Sequence, residues 1–145
     1  MSTRYQTINT TLRTALNGLA VTAKGVAVPK YYQGDVKPAT GPFLYTWLLT
    51  PEPVAHELGY QAREWIAGVY QIDVYTPADA AWASQDLVIA DQLSTFFYRG
   101  KRLGDIRIKG MTKGMTATDG GYFKTGGGYF KTVCNVLFDV LCVAG

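Results

Sequence analysis

The residues able to carry chemistry are few, and their spacing decides what they can do. The single histidine, His56, stands between Ala55 and Glu57 in a polar connection. No Ser/His/Asp set, no HExxH helix and no zinc cluster can be assembled around it at readable spacing. The glycine-rich run offers Gly121-x-x-x-x-Gly126, yet Gly127 follows where a phosphate loop needs Lys and then Ser or Thr. A dinucleotide fingerprint would need a parallel strand before it and a helix after it, and neither is expected there. The carboxylates Glu52, Glu57, Glu64, Asp73, Asp79, Asp86 and Asp91 fall at solvent-type positions, with no pair that separates an acid from a base. Cys134 and Cys142 share a face of one expected strand. At ~3.3 Å per residue they lie about 26 Å apart, beyond the ~7 Å reach of a disulfide, so both read as small hydrophobes. These patterns point away from an enzyme and call for no cofactor and no metal.

What remains is chemistry of contact. The net charge of +3 is unevenly spread: residues 1–98 hold six Lys/Arg against eight Asp/Glu, and from Arg99 onward there are eight against three. The basic end is also where composition changes. Residues 110–128 contain seven glycines, and short duplications are legible there: Lys109-Gly-Met-Thr then Lys113-Gly-Met-Thr, and Gly120-Gly-Tyr-Phe-Lys-Thr then Gly127-Gly-Tyr-Phe-Lys-Thr. A connection of that length between strands exceeds ordinary hairpins, which predicts a loop at about 110–128 that is ordered by neighbours. Its candidate partner contacts are Tyr122, Phe123, Tyr129 and Phe130 as apolar anchors, with Lys109, Lys113, Lys124 and Lys131 as steering or rim charges.

The elements that must position these residues follow from periodicity. Ile8, Leu12, Ala15, Leu16 and Leu19 recur at helical spacing between a possible capping box at Thr3-x-x-Gln6 and Asn17-Gly18. Val26 to Tyr32 is β-branched and aromatic but broken by Pro29, which predicts a short or edge strand. Phe43 to Thr50 is a strand ended by Pro51 and Pro53. From Glu64 to Thr76, Ile66, Gly68, Tyr70, Ile72 and Val74 alternate with the outer set and should face the core. Thr76-Pro77-Ala78-Asp79 reads as a helix start with Thr76 as cap, and the helix runs to about Tyr98 with Ala80, Ala83, Leu87, Ala90, Leu93 and Phe97 buried. Gly100 ends it, with Arg99, Lys101 and Arg102 near its negative end. Asp105 to Lys109 is a half-exposed strand, and Val133 to Val143 a buried one, far short of the ~20 residues that cross a bilayer.

At 145 residues the chain is one domain, 1–145. With 48% hydrophobic residues it can build a core, and with 17% charged residues it leaves surface suited to cover by partners. No signal peptide is legible near Arg4 and Arg13. The expected fold is α/β of the α+β kind: an antiparallel or mixed sheet of about five strands with two helices packed on one face.

The stretch from Phe43 through Ile108 resembles the tail-terminator-like proteins of long-tailed bacteriophages. The resemblance rests on an aromatic strand, then Glu57-Leu58-Gly59, then Gly68-Val69-Tyr70-Gln71-Ile72-Asp73-Val74-Tyr75-Thr76-Pro77, then a helix with Ala90-Asp91 and Phe97. It covers about half the chain directly, and the Gly-rich duplication at 109–132 departs from the family pattern. The resemblance implies a homo-oligomeric ring, expected as a hexamer, in the virion at the head-proximal end of the tail and assembled in the host cytoplasm. Such a ring caps the tail tube protein, stops tube growth and offers a surface to the head–tail connector or stopper protein, while DNA passes through the channel without specific binding. It carries no catalytic residue. Two other readings stand beside it: another head–tail or tail-tube structural subunit, and a nucleic-acid-binding module built on the basic, aromatic C-terminal third.

Overall fold

The structure, a computed structural model, describes residues 4–36, 40–50, 54–55, 63–118 and 128–143. The fold is α+β. Helix α1 (Arg4–Asn17) buries Ile8, Leu12 and Leu16 along one stripe. Its last turn closes through the Gly18 amide on the Thr14 carbonyl at 3.1 Å, without Gly18 entering the left-handed region. Thr3, half of the expected capping box, lies outside the described residues. A two-residue hairpin follows, β1 (Thr22–Ala23) with β2 (Val26–Ala27), turned by Lys24 at φ 53° and Gly25 at φ 74°. Positive φ at both central residues matches the right-handed twist of paired strands, and glycine meets that demand at little cost.

Seven strands form one sheet: β3 (Lys30–Tyr32), β4 (Phe43–Leu49), β5 (Val54–Ala55), β6 (Arg63–Pro77), β7 (Arg102–Leu103), β8 (Ile106–Thr118) and β9 (Tyr129–Val143). Their order is β3-β4-β6-β9-β8-β7, with β5 added on β6. Only β3–β4 is parallel, so the sheet is mixed. Its spine is the β6–β9 ribbon, continuous from Arg63 opposite Val143 to Pro77 opposite Tyr129. The even-numbered set forecast for the core is on the core side: Ile66, Tyr70, Ile72 and Val74 join Leu44, Cys134, Val136, Phe138, Ile106 and Ile108 beneath both helices. Fully burying each such side chain contributes about 1.5–3 kcal/mol, so this layer dominates the fold's stability.

Three expectations are corrected. The second helix does not start at Thr76: β6 stays in the ladder through Pro77, and Thr76 is a buried strand residue opposite Phe130. Proline is tolerated there because it ends the strand. Asp79 is the cap instead, its Oδ1 accepting the Ala81 amide at 2.9 Å over a 3₁₀ turn (Ala80–Trp82). Ser84, at φ 64°, then breaks the chain direction before α2 (Gln85–Phe96). The buried stripe is accordingly Ile89, Ala90, Leu93 and Phe97, and Ala80, Ala83 and Leu87 are exposed. At the far end Lys101 Nζ donates to the Phe96 carbonyl at 2.9 Å, a cation satisfying the negative end of the helix. Second, the sheet has seven strands against about five expected, the extra ones being the two-residue strands β5 and β7, too short to show a period. Third, the stretch forecast as a loop from 110 begins as strand: β8 runs to Thr118 with register shifts at Ile108/Gly110 and Lys113/Thr116. Bulges admit glycine into a strand, and Gly110 at φ 136° sits in the first of them. Residues 119–127 lie outside the described residues.

Candidate functional site

The odd-numbered residues of β4, β6 and β9 form the sheet's other face. At one end they build an aromatic cluster. Phe43 stacks on its cross-strand partner Tyr75 with centroids 4.5 Å apart, and Tyr31 and Tyr129 meet Phe43 edge-on at 5.9 and 5.7 Å. Tyr45 leans on Trp47 at 5.0 Å. Tyr45 also ties down the turn at 32–35, accepting the Gly34 amide at 3.1 Å and donating to the Asp35 carbonyl at 3.0 Å. Offset and edge-on pairs of this kind add about 0.5–1.5 kcal/mol each beyond the area they bury.

Within this cluster sits a carboxylate that sequence reading had placed at the surface. Asp73 is 1% exposed. Trp47 Nε1 donates to its Oδ2 at 3.2 Å, Gln71 Nε2 donates to its Oδ1 at 2.8 Å, and Lys131 Nζ stands 3.8 Å from Oδ2. A buried charge of this sort persists only when paired and hydrogen-bonded, and here both conditions are met. The three donors hold the carboxylate in place on the sheet face.

Away from the cluster the same face becomes aliphatic. Val69 lies opposite Leu137, Trp65 opposite Leu141, and Leu49 opposite Val69. These side chains are half-buried, and Leu49 is 49% exposed. Where β4 stops, Leu49, Thr50, Val69, Leu137 and Lys109 line a groove of about 700 Å³ whose floor is Gly68 and Phe138. A bidentate charge pair on this side joins Arg107 with Asp139: Nε to Oδ1 at 3.0 Å and Nη2 to Oδ2 at 2.6 Å. Hydrogen bonding to Asp139, and then its charge, hold the guanidinium pKa above the usual arginine value. Arg107 also reaches over the Trp65 ring, its guanidinium carbon 5.9 Å from the centroid.

The forecast contact residues are dispersed by this geometry. Lys109 is exposed at the first bulge and borders the groove, and Lys113 is exposed further along β8, opposite Cys134. Tyr129 is 5% exposed, packed within the aromatic cluster of its own sheet. Phe130 is half-buried opposite Thr76, and Lys131 bridges toward Asp73. Tyr122, Phe123 and Lys124 lie outside the described residues. Sequence reasoning missed Trp47, Val69 and Leu137 as surface. Their signal was present only in part: the outward set of β6 and β9 interleaves Trp65, Val69, Leu137 and Leu141 with Gln71, Asp73, Asn135 and Asp139.

Among the described residues no three His, Cys, Asp or Glu side chains gather as a metal would require, and no helix is long and apolar enough to cross a membrane. Comparison with protein-family models and with curated proteins gives no match for this chain.

Proposed function

We propose that this chain is a structural virion protein that assembles as a ring on the head-proximal end of a phage tail tube, ending tube growth and providing the docking surface for the head connector. One observation carries the reading: a two-layer fold whose sheet keeps an apolar patch on its second face. A sheet needs only one buried face for a single core. Here Leu49, Trp65, Val69, Leu137 and Leu141 spread apolar surface across the other one, an arrangement that fits lasting contact with neighbouring subunits. Head-to-tail closure of such contacts into a ring satisfies the face without open-ended growth. The order of elements and the motif from Gly68 to Pro77 supply the tail-terminator resemblance. The exposed lysines Lys109 and Lys113 suit steering of an acidic partner or passage of DNA.

The test is sedimentation and negative-stain imaging of the purified chain, alone and with tube protein. Closed rings, free or on tube ends, are expected. A strict monomer that ignores tube ends overturns the proposal. So does DNA binding that is tight and falls steeply with salt, because a channel lining needs only the non-specific range of ~10⁻⁴ to 10⁻⁶ M.

A further inference from the structure

On the opposite side of the molecule, α1 and the edge strands enclose a separate polar cleft of about 390 Å³, lined by Asn9, Arg13, Gln33, Gly34, Thr46 and Leu48. Three features make it a place for a negative ligand. Arg13 is half-buried and its guanidinium carbon sits 4.4 Å from the centroid of the Tyr32 ring. Stacking fixes the plane of the fork, and among the described residues no carboxylate pairs with it. Asp35, the acidic residue of the adjoining turn, is engaged elsewhere: its Oδ2 accepts the Tyr32 amide at 2.8 Å, and it does not line the cleft.

The second feature is Thr46, 2% exposed at the cleft wall and hydrogen-bonded to the buried Tyr70 hydroxyl at 3.1 Å. Two hydroxyls hold two hydrogens, and one bond between them uses only one. Tyr70 is the donor in that bond, so the Thr46 hydrogen is not used by it and can be turned to a ligand. Third, the Asn9 and Gln33 amides supply further N–H groups at the rim. Among the described residues the lining is rich in donors and contains no carboxylate.

We propose that this cleft binds a compact oxyanion, a carboxylate or phosphate group held by the Arg13 fork and the Thr46 hydroxyl. A planar, pre-oriented guanidinium takes two coplanar oxygens at once, which an ammonium cannot do. The site is independent of the apolar sheet face and of the ring reading built on it.

The experiment is an NMR titration of the isotope-labelled chain at constant ionic strength, with sodium chloride as the reference salt. Sodium malonate, sodium phosphate and N-acetyl-aspartate amide are the probes. Saturable shifts of the Arg13 Nε–H signal and the Asn9 and Gln33 amides are expected, with half-saturation near ~1 mM or below. A response to phosphate alone assigns a phosphate group, and a response to malonate assigns a carboxylate. An equal response to the aspartate amide supports an acidic protein side chain as its source. Arg13→Gln should abolish the shifts, Thr46→Val should weaken them, and Arg13→Lys, which keeps the charge but not the fork, should bind several-fold more weakly. Arg102→Gln, on the exposed β7, should bind as the parent does. Shifts that fail to saturate with every probe, or that persist in folded Arg13→Gln, overturn the proposal.

Discussion

Replacing Gly68 by alanine adds one methyl group where β4 ends against β6, and the surroundings determine its cost. An ideal Cβ at this position would stand 2.7 Å from the Leu49 carbonyl oxygen, 2.9 Å from Phe138 Cζ and 3.1 Å from Thr50 Cγ2. Carbon contacts are comfortable at about 3.5–4.0 Å. The Leu49 oxygen belongs to the last rung of the β4–β6 ladder, and the Phe138 ring is fully buried, so neither gives way freely. Overpacking of this kind costs about 1–3 kcal/mol. Against it stands the ~0.4–1 kcal/mol that alanine gains by restricting the unfolded chain. The net expectation is a loss of about 1–2 kcal/mol, read as a lower urea midpoint at unchanged slope and a Tm drop of roughly 3–8 °C. Gly114→Ala is the matched control. Its Cβ would meet only the Val133 oxygen at 3.4 Å and Cβ at 3.8 Å, so it should be near neutral. A Gly68→Ala chain as stable as the parent would refute the packing argument.

Three further outcomes are expected. Burial pushes the Cys134 thiol from 9.0 up to about 11 and the Tyr70 hydroxyl from 10.0 up to about 12. Because the folded state holds these protons more tightly, their contribution is complete below pH 9 and is lost as pH rises toward 11 and 12. Denaturation midpoints should fall across that window, and Cys134→Ala should remove the part between pH 9 and 11. Asp73→Ala strands the Trp47 indole N–H and the Gln71 amide and should cost about 1–3 kcal/mol, measured by urea unfolding. Gln92 holds the β1 backbone from α2, its Oε1 accepting the Thr22 amide at 3.0 Å and its Nε2 donating to the Thr22 carbonyl at 2.7 Å. Gln92→Ala should therefore speed hydrogen exchange at the Thr22 amide while leaving that of β6 amides unchanged.

The parts of the fold legible in the sequence are those where one local period speaks alone. The 3.6 spacing of Ile8, Leu12 and Leu16 and the alternation from Ile66 to Val74 each name a buried face without knowledge of any neighbour. Local signals misled where two of them compete. Thr76-Pro77-Ala78-Asp79 satisfies helix-start rules twice, and the ladder with Phe130 and Tyr129 claims the first pair while Asp79 keeps the cap. Glycines at 110 and 114 look like loop until bulges receive them. The candidate face was least legible because alternation says that Trp47, Asp73 and Lys131 point outward, but only the strand order β4-β6-β9 places them together. The burial of Asp73 is a product of that order: in β6 alone it is simply a charge on the polar side of a strand.

The β6–β9 ribbon also bears on how the chain reaches this state. Its two strands are separated in sequence by α2 and by β8, so none of its rungs is local. The Pro77–Tyr129 end closes the shortest loop and the Arg63–Val143 end the longest, and loop closure must precede the gain from pairing. Within this ribbon the rungs cheapest to close are those at the aromatic cluster, where Phe43, Tyr75 and Tyr129 join three distant segments, whereas β4 closes on β6 over its shortest loop at the other end, Leu49 opposite Val69. The aliphatic end of the sheet thus combines the shortest closure of β4 on β6 with the longest closure of β6 on β9.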